Sequence, residues 1–475
     1  MKMLARPVRL GLALFTLLML LLAPLWIMLR GREGELEEEG KTRRGSSHIA
    51  AEVVNAPPGQ SVTVPLRGGA GFSPQTRLGY TAGDQWEPAI AADRFGHVYL
   101  LYPQYGGVPG CSTCSTTDPT MILQMSSNRG ATWAAPTIMY LAGAADGQWD
   151  AQIVVDPIDG RTVYAAWLQN GKSDIAVAKS TDFGATWSVV IADSTNAGTD
   201  KPILAVRGQN VYVGYNHAQK VWVSSSHDGG LTFASTHVNK TGKLGWSLAG
   251  GGAVDPAGNV YFSWAGYTQN GGAKGPVYLY LSRSTDGGNT WTTKTLDTSG
   301  APPDCSAYLC GWAFLGAQMT MTSDAAGTLY ALWNAGAVDK DKGPERIYFS
   351  KSTDGGNTWT TKADVSLAPA GVHHAFPAIA AGAAGDVRIS WMDARAGGLW
   401  NTYYRSSTSG GATWSSEVDL STYVAGYDYI QPNGFGFPFG DYYEMDIDDQ
   451  GNTHAVWGEG LNYDGPGSIW YTTGK

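Results

Sequence analysis

The chain has few stretches that could form amphipathic helices, and it has no sustained run of basic residues. Its 475 residues include 41 acidic but only 32 basic side chains, which gives a formal net charge of −9. This balance argues against nucleic acid as a partner, because a nucleic-acid surface requires clustered positive charge. With helices scarce, the 63 glycines, 18 tryptophans and 24 tyrosines favour an all-β protein.

Cysteine is also scarce. The four cysteines form two close pairs in loops rich in Gly, Pro and Ser, Cys111 with Cys114 and Cys305 with Cys310. In an exported domain we expect each pair to form its own disulfide. A zinc ion bound by all four thiolates is the alternative.

The N-terminal region lacks the small residues of a signal-peptide cleavage site. Three basic residues precede an uncharged apolar run from Leu10 to Leu29, which is long enough to cross a bilayer. We interpret residues 1–30 as an uncleaved membrane anchor with the rest of the chain outside, and a cleaved signal with a secreted protein as the alternative. Residues 31–60 begin with alternating blocks of Glu and Lys/Arg and are predicted to be a charged, flexible tether.

One turn sequence recurs six times. Ser352 to Trp359 reads Ser-Thr-Asp-Gly-Gly-Asn-Thr-Trp and is repeated letter for letter from Ser284 to Trp291. Looser copies of this S-x-D-x-G-x-T-W box are Ser126 to Trp133, Ser180 to Trp187, Ser226 to Phe233 and Ser407 to Trp414. The Asp can accept hydrogen bonds within the turn, Gly supplies positive φ, and the Trp can fill the sheet interface below. We interpret the box as a structural staple.

A second repeat consists of an apolar strand, a D-x-x-G turn and a second strand that ends in an aromatic residue. Its seven copies are Pro88 to Tyr102, Ala151 to Trp167, Pro202 to Tyr215, Gly251 to Trp264, Met319 to Trp333, Pro377 to Trp391 and Tyr443 to Trp457. A third strand, a box and a fourth strand follow each of the first six. Four short strands in each unit are typical of a β-propeller blade.

The pattern therefore predicts that residues 61–475 form a single β-propeller of seven four-stranded blades. The seventh unit ends after its third strand, Ser468 to Thr473, and a closed ring leaves no exposed edge. We expect the N-terminal segment Ser61 to Leu66 to supply the missing strand beside it.

The boxes and the second repeat resemble those of the Asp-box (bacterial neuraminidase repeat) proteins, a superfamily that includes the sialidases. The resemblance covers roughly Gly79 to Lys475 and implies the propeller fold. Sialidases cleave with a tyrosine nucleophile paired with a glutamate, an aspartate acid/base and three arginines that hold the substrate carboxylate. The catalytic family also has six blades and a Phe/Tyr-Arg-Ile-Pro motif, which is absent here. Whether this chain is an enzyme is left open at this point.

The resemblance places the candidate catalytic residues in the seventh unit. Tyr442 and Glu444 stand two positions apart on an inner strand and so share a face, and Asp441 precedes them. The arginines that could approach this face are Arg77, Arg346 and Arg395. Nothing in the sequence brings these three together.

The long connections of the propeller are predicted to share one face, the loop face. The D-x-x-G turns and the boxes share the other, the turn face. Acidic residues precede several inner strands on the loop face: Glu87, Asp150, Asp200 and Asp441. They would form a ring at the channel mouth and bind a ligand. The alternative is that each caps its own turn or pairs with a lysine such as Lys201.

Other ligand-binding candidates on the loop face are the aromatic residues Trp400, Tyr427 and Tyr429, and the polar residues His374 and Arg395. Aromatic rings stack on sugars, whereas Trp86 and Trp149 could equally wedge adjacent blades. A metal bound at His373-His374 is a weaker alternative, since neighbouring strand residues point in opposite directions. The segment Asp446 to Asn452 resembles a calcium loop but aligns with the ordinary turns. We expect no cofactor, with a structural calcium ion as the alternative.

Two functions follow. The first is a tethered, extracytoplasmic propeller that binds a glycan, a cell-wall polymer or a partner protein at its acidic, aromatic mouth. The second is an exo-acting glycoside hydrolase of the sialidase type. A third alternative is an accessory subunit of a membrane complex.

Overall fold

The computed structural model describes residues 69–141, 147–196, 198–239, 244, 246–269, 274–302, 315–339, 343–397, 399–421, 440, 442–460 and 467–475. All of them belong to one compact unit, Ile49–Lys475, and all their regular elements are β-strands. In this part of the chain no helix is long and apolar enough to cross a membrane. The predicted anchor, tether and strand Ser61–Leu66 lie outside the described residues.

The strands form seven sheets, here called blades 1 to 7 in chain order. The first strand, β1 (Thr76–Leu78), belongs to blade 7. Blade 1 consists of β2 (Asp84–Gln85), β3 (Ala89–Ala92), β4 (Val98–Tyr105), β5 (Thr120–Ser126) and β6 (Thr137–Ile138), and blade 2 of β7 (Trp149–Val155), β8 (Val163–Gln169), β9 (Asp174–Ser180) and β10 (Ser188–Ser194). Blade 3 consists of β11 (Thr199–Arg207), β12 (Asn210–His217), β13 (Lys220–Ser226) and β14 (Ala234–His237), and blade 4 of β15 (Trp246–Val254), β16 (Val260–Gln269), β17 (Lys274–Ser284) and β18 (Thr292–Ser299).

Blade 5 consists of β19 (Met319–Ser323), β20 (Leu329–Ala335), β21 (Arg346–Ser352) and β22 (Ala363–Asp364), and blade 6 of β23 (His374–Ala381), β24 (Val387–Ala396), β25 (Leu399–Ser407) and β26 (Val418–Asp419). Blade 7 consists of β27 (Glu444–Ile447), β28 (Thr453–Gly460), β29 (Gly467–Gly474) and the N-terminal strand β1. All pairings are antiparallel, and the innermost strand of each blade lines a central channel. The predicted all-β, seven-bladed propeller is confirmed.

The fourth strand of blade 7 comes from a different segment than predicted. Thr76 pairs with Tyr471 and Leu78 with Ile469, so β1 takes the edge that the sequence pattern assigned to Ser61–Leu66. Leu78 is buried and packs in the same cluster as Ile469. Apolar burial together with the strand pairing fixes this register.

The aromatic residue at the end of each second strand is the repeating core element. All seven are less than 2% exposed: Tyr102, Trp167, Tyr215, Trp264, Trp333, Trp391 and Trp457. Four of the tryptophans keep a hydrogen bond for the buried indole N–H, as when Trp264 Nε1 donates to Ser282 Oγ at 2.9 Å. Their large apolar rings fill the space between sheets at little polar cost.

A buried aspartate holds the turn between the first two strands in five of the seven blades, whereas the turns of blades 3 (207–210) and 6 (382–385) have no aspartate at that position. In blade 4, Asp255 accepts the backbone N–H groups of Ala257 and Asn259 and the hydroxyl of Tyr261, all at 2.8–2.9 Å. The calcium-like loop of blade 7 has the same geometry, because Asp448 accepts from Gln450 and Asn452. Its carboxylate is therefore used by the turn, as expected from the alignment.

Each box is a closed set of hydrogen bonds. In blade 5, Ser352 Oγ donates to Asp354 Oδ1 at 2.8 Å and accepts from Gly356 N at 2.9 Å, while Thr358 donates its N–H and hydroxyl to Asp354. The Thr358 hydroxyl bond is the main cause that lowers the pKa of Asp354 to about 2. Asn128 and Ser409 keep the acceptor role in the two boxes that lack Asp.

The boxes and the D-x-x-G turns meet on the turn face, as predicted from the strand order. Arg129 N in the first box donates to Gly96 O in the turn of the same blade at 2.8 Å, and Gly410 N donates to Gly385 O in blade 6 at 2.8 Å. The longer connections therefore leave the opposite ends of the strands, on the loop face.

We predict that Asp354→Ala lowers the melting temperature at about pH 7, because the Thr358 and Ser352 groups lose their acceptor. A carboxylate with a depressed folded-state pKa contributes stability that is present above its unfolded pKa and is lost as the pH falls toward about 2. The difference from wild type should therefore shrink at about pH 3. Thermal unfolding at both pH values tests this, with exposed Asp339→Ala as the control. An equal difference at both values would contradict the assignment.

Candidate functional site

A cavity of about 320 Å³ occupies the central channel. Every innermost strand contributes to its wall, from β3 of blade 1 to β27 of blade 7. The innermost strands have a partner on one side only, so the N–H and C=O groups on their other edge must be satisfied across the channel wall. How each blade does so decides which chemistry the channel offers.

Blades 4 and 5 bring their innermost strands close together. A Cβ atom added at Gly250 would lie 2.1 Å from Met319 O, and one at Gly251 would lie 2.4 Å from Met321 N. Ser263 Oγ donates to Met319 O at 2.8 Å. Glycine is needed here because only a backbone without side chains lets the two strands come this close. Neither of these two strands contributes a charged side chain to the channel lining.

Blade 7 instead meets blade 1 through two carboxyl groups. Glu444 Oε2 accepts from Ile90 N at 3.2 Å, and Asp446 Oδ2 accepts from Ala92 N at 2.8 Å. Both N–H groups point away from the partner strand β4, so the carboxyl groups satisfy the free edge of β3. Gln152 of blade 2 donates to Glu444 Oε1 at 2.5 Å.

The channel wall shifts the titration of both carboxyl groups. Burial raises the pKa of Glu444 to about 8, the charge of Asp446 adds to this, and the hydrogen bonds from Ile90 and Gln152 oppose it. Burial likewise raises the pKa of Asp446 to about 6. The raised pKa favours the protonated form of Glu444 at neutral pH, the form that can donate a proton within the cavity.

The inner strands are irregular where they reach the loop face. The inner strand of blade 1 is interrupted between β2 and β3, and β7, β11, β15 and β23 each have a register shift near their start. At these points Glu87, Asp150, Lys201 and Phe376 have φ values between 52° and 58°. Such a conformation costs on the order of 1 kcal/mol or more for a residue with a side chain. Bulges of this kind redirect side chains, here at the channel mouth.

Three side chains from different blades converge at the mouth. Lys201 Nζ of blade 3 lies 3.9 Å from Glu87 Oε1 of blade 1 and 4.2 Å from the ring centre of Tyr442 in blade 7. Glu87 and Lys201 are 4% and 8% exposed. The backbone of Gly440 lies against Glu87, since an added Cβ would come within 2.0 Å of Glu87 Cγ. The mouth therefore combines a carboxylate, an ammonium group and an aromatic ring.

The predicted acidic ring is only partly present. Asp150 is buried at the equivalent bulge, and its Oδ2 has no hydrogen-bond partner among the described residues. Asp200 lies one position before the bulge and is half-buried. Lys201 lines the channel cavity, whereas Glu87, Asp150 and Asp200 are not among its lining residues. Asp441, Tyr427 and Tyr429 lie outside the described residues. Lys201, considered from sequence only as a neutralising partner, takes the central position.

His374 and Arg395 lie in the wall of blade 6 and not in the described channel lining. Arg395 is bound by Asp393 at 2.5 Å and by Glu417, so its guanidinium is already paired. His374 is fully buried, and burial lowers its pKa. Ser366 Oγ and Asp393 Oδ2 both approach its Nε2, at 2.7 and 3.7 Å, while Nδ1 faces backbone carbonyls. A nucleophilic triad needs the two partners on opposite nitrogens, so this cluster is structural.

The tryptophans considered as ligand candidates pack inside the blades or against their loops. Trp400 is 6% exposed and lies in the same buried cluster as Phe376. Trp86 is buried with its ring centre 4.3 Å from that of Tyr105. Trp149 is half-exposed, and Lys172 Nζ lies 5.7 Å from its ring centre. Of the three, Trp149 keeps an accessible surface on the loop face.

The three arginines do not meet beside Tyr442. Arg346 binds Asp364 at 2.8 Å, Arg395 is held in blade 6, and Arg77 lies on the outermost strand β1. None of the three is a channel-lining residue. These positions do not reproduce the arrangement that the sialidase resemblance implied.

Cys111 and Cys114 form the predicted disulfide in the connection between β4 and β5. Cys305 and Cys310 lie outside the described residues. Within the described ranges no group of His, Cys, Asp and Glu side chains is arranged to hold a metal ion.

We predict that the free energy of unfolding falls as the pH rises from about 5 to about 8, because Glu444 must ionise in the channel wall. A group whose pKa is raised by folding contributes stability that is full below its unfolded pKa and is lost as the pH rises through about 8. Glu444→Gln should reduce the change in the free energy of unfolding over this pH range by on the order of 1–2 kcal/mol. Asp446→Asn should instead reduce the change in the free energy of unfolding between about pH 4 and pH 6. Urea unfolding across this range measures both; a Glu444→Gln slope equal to that of wild type would refute the prediction.

Comparison with known proteins gives few matches in sequence. No family model matches the chain. A xyloglucanase from Paenibacillus sp is 30% identical over 261 residues, which cover 50% of this chain and 23% of that protein. The chain thus spans about a quarter of the length of the curated relative. Similar solved structures include an ulvan lyase (TM-score 0.46, 11% identity, covering 83% of this chain and 95% of that one) and the sialidase NanB from Streptococcus pneumoniae (0.44, 12%, 70% and 68%).

Proposed function

We propose that the protein binds a glycan, specifically a polysaccharide chain, at the channel mouth on its loop face. The observation that carries this proposal is the convergence of Glu87, Lys201 and Tyr442 from three blades. A sugar offers hydroxyl groups that both donate and accept hydrogen bonds, and C–H faces that pack on aromatic rings. The mouth supplies a matching acceptor, a donor and a ring within one small area.

The energetics of the mouth favour recognition over a purely structural role. Four residues at its rim have positive φ, and strained backbone persists where the surrounding fold enforces it, often at binding sites. The cavity beneath continues into the channel, so a ligand at the mouth would rest over an enclosed, partly polar space. The name of the curated relative, xyloglucanase, supports a polysaccharide as the ligand class.

We further propose that the propeller acts outside the cell membrane, held by residues 1–30 through the tether of residues 31–60. The support is the uncharged run from Leu10 to Leu29 after basic residues. A surface location agrees with a disulfide in the described part of the chain.

We predict that Lys201→Met weakens binding to a polysaccharide by about tenfold or more, the loss expected for one desolvated charge-assisted hydrogen bond. The control is Lys179→Met, because Lys179 also lies over a tyrosine ring, 5.5 Å from the centre of Tyr164, but on the turn face. Isothermal titration and glycan arrays on both variants and on Tyr442→Phe give the comparison. Equal affinities for the Lys201 and Lys179 variants would contradict a ligand site at the mouth.

A second candidate, an exo-acting glycoside hydrolase, is favoured by one observation. Glu444 has a pKa of about 8, so it could protonate a leaving group at neutral pH, as a general acid does. Tyr442 lines the same wall two residues away, in the position expected for a nucleophile beside a carboxyl group. Asp441, assigned as the acid/base from the family resemblance, stays a prediction.

For the hydrolase we predict that wild-type protein releases reducing sugars and that Glu444→Gln lowers the rate by at least about a hundredfold. Tyr442→Phe should have a similar effect if a covalent intermediate forms. Ligand affinity in Glu444→Gln should stay within a few fold of wild type. Polysaccharide that is bound but never cleaved by wild-type protein would leave binding as the function and exclude this second candidate.

A further inference from the structure

A second cavity, of about 260 Å³, lies between blades 2 and 3. Its lining residues are Asp193, Ser194, Thr195, Asn196, Tyr215, His217 and Trp222. The first four come from the end of β10 and the connection after it, and the last three from β12 and β13. Since β10 and β12 end on the loop face, the cavity opens on the same face as the channel mouth.

Hydrogen bonds and ring stacking fix the side chains that line this cavity. Tyr215 donates its hydroxyl to Asp193 Oδ2 across the blade boundary, and Asp193 Oδ1 accepts from Ser194 N at 2.9 Å. Trp222 is half-exposed, and its ring stacks on His237 with centres 5.0 Å apart and planes 26° apart. A rigid aromatic side chain beside hydroxyl, amide and imidazole groups is suited to bind a sugar ring.

Thr199 lies between this cavity and the channel mouth. Thr199 Oγ1, at the start of β11, lies 2.7 Å from Thr195 Oγ1 and 3.4 Å from His217 Nδ1. Lys201 stands two residues further along the same strand, about 7 Å away at the usual rise of a strand. Thr199 N also donates to Lys172 O at 3.2 Å, and the Lys172 ammonium lies over the ring of Trp149.

The connections between the second and third strands of blades 2 and 3 are short on the loop face. The connection from β8 to β9 is residues 170–173, and that from β12 to β13 is residues 218–219. In contrast, residues 106–119 join β4 to β5 and residues 336–345 join β20 to β21. The equivalent connections of blades 4 and 6, residues 270–273 and 397–398, are equally short. A chain that leaves the mouth toward the second cavity therefore passes over short connections, and the second cavity itself distinguishes this direction.

We propose that the cavity beside Trp222 is a second sugar subsite, which binds an extended polysaccharide of neutral sugars whose other part occupies the channel mouth. This inference rests on the proposed function and adds the direction, length and charge of the ligand. A neutral sugar is favoured in the second cavity because the carboxylate of Asp193 lines it and, among the described residues, no lysine or arginine does. Trp149 and Lys172 lie along the path between the two sites.

The test uses short and long xyloglucan oligosaccharides on the full chain. Wild-type affinity should rise with oligosaccharide length by about tenfold or more. Trp222→Leu should remove most of this gain while leaving the shortest ligand unaffected, whereas Lys201→Met should weaken all lengths. Trp133→Leu, the same change on the turn face, is the control. Because Trp222→Leu could also disturb packing, the exposed Asn196→Ala provides an independent variant that should reduce the gain in the same direction.

The outcomes separate the two proposals. Affinity that does not depend on length, or equal length dependence in wild type, Trp222→Leu and Asn196→Ala, would overturn the second subsite while the Lys201 effect keeps the mouth as the binding site. A stronger interaction with polyuronates than with xyloglucan would overturn the preference for neutral sugars. If wild-type protein binds none of these polysaccharides, both proposals fail.

Discussion

The free edge of the innermost strands is the constraint on which the rest of this structure depends. Seven sheets arranged around a channel leave seven strand edges without a strand partner, and their backbone groups must be satisfied in another way. Blades 4 and 5 meet through glycine, at distances that no side chain would allow. Blades 7 and 1 meet through the carboxyl groups of Glu444 and Asp446. The ring is therefore chemically asymmetric although its fold repeats.

This asymmetry places the ionisable groups of the channel on one side. Glu444 contacts blades 1 and 2, while Lys201 lies between Glu87 and Tyr442 just above. Two opposing charges at the mouth reduce the cost of burying each other. The carboxyl group below them has no such partner, and its pKa rises instead. One wall of the channel thus holds an ion pair beside an aromatic ring at the mouth and a carboxyl group with a raised pKa beneath it.

The fold could be predicted from the sequence because its determinants are local and repeated. The aromatic residue that ends each second strand recurs in all seven blades, and the turn aspartate recurs in blades 1, 2, 4, 5 and 7. The box serine recurs six times, with an aspartate in four boxes and Asn128 or Ser409 in the other two. Each of these residues acts within a few residues of chain. The strand β1 could not be predicted in this way. Its three residues are too short to show a period of two, whereas the sequence pattern marks Ser61–Leu66 as the one strand-like segment not used in another unit.

The site was less predictable because its contacts join blades that are far apart in sequence. Acidic residues recur before several inner strands, but the residue with positive φ at the bulge is Glu87, Asp150 or Lys201, and of these and Asp200 only Lys201 lines the channel cavity. A shift of one residue in a strand exchanges the side chains on its two faces. No local sequence pattern predicts where such a shift occurs. The same reasoning explains Arg395, which looked available on the loop face until the fold brought Glu417 of the same blade against it. Residues whose partners come from another strand or blade can be assigned a role only once the register of each inner strand is known.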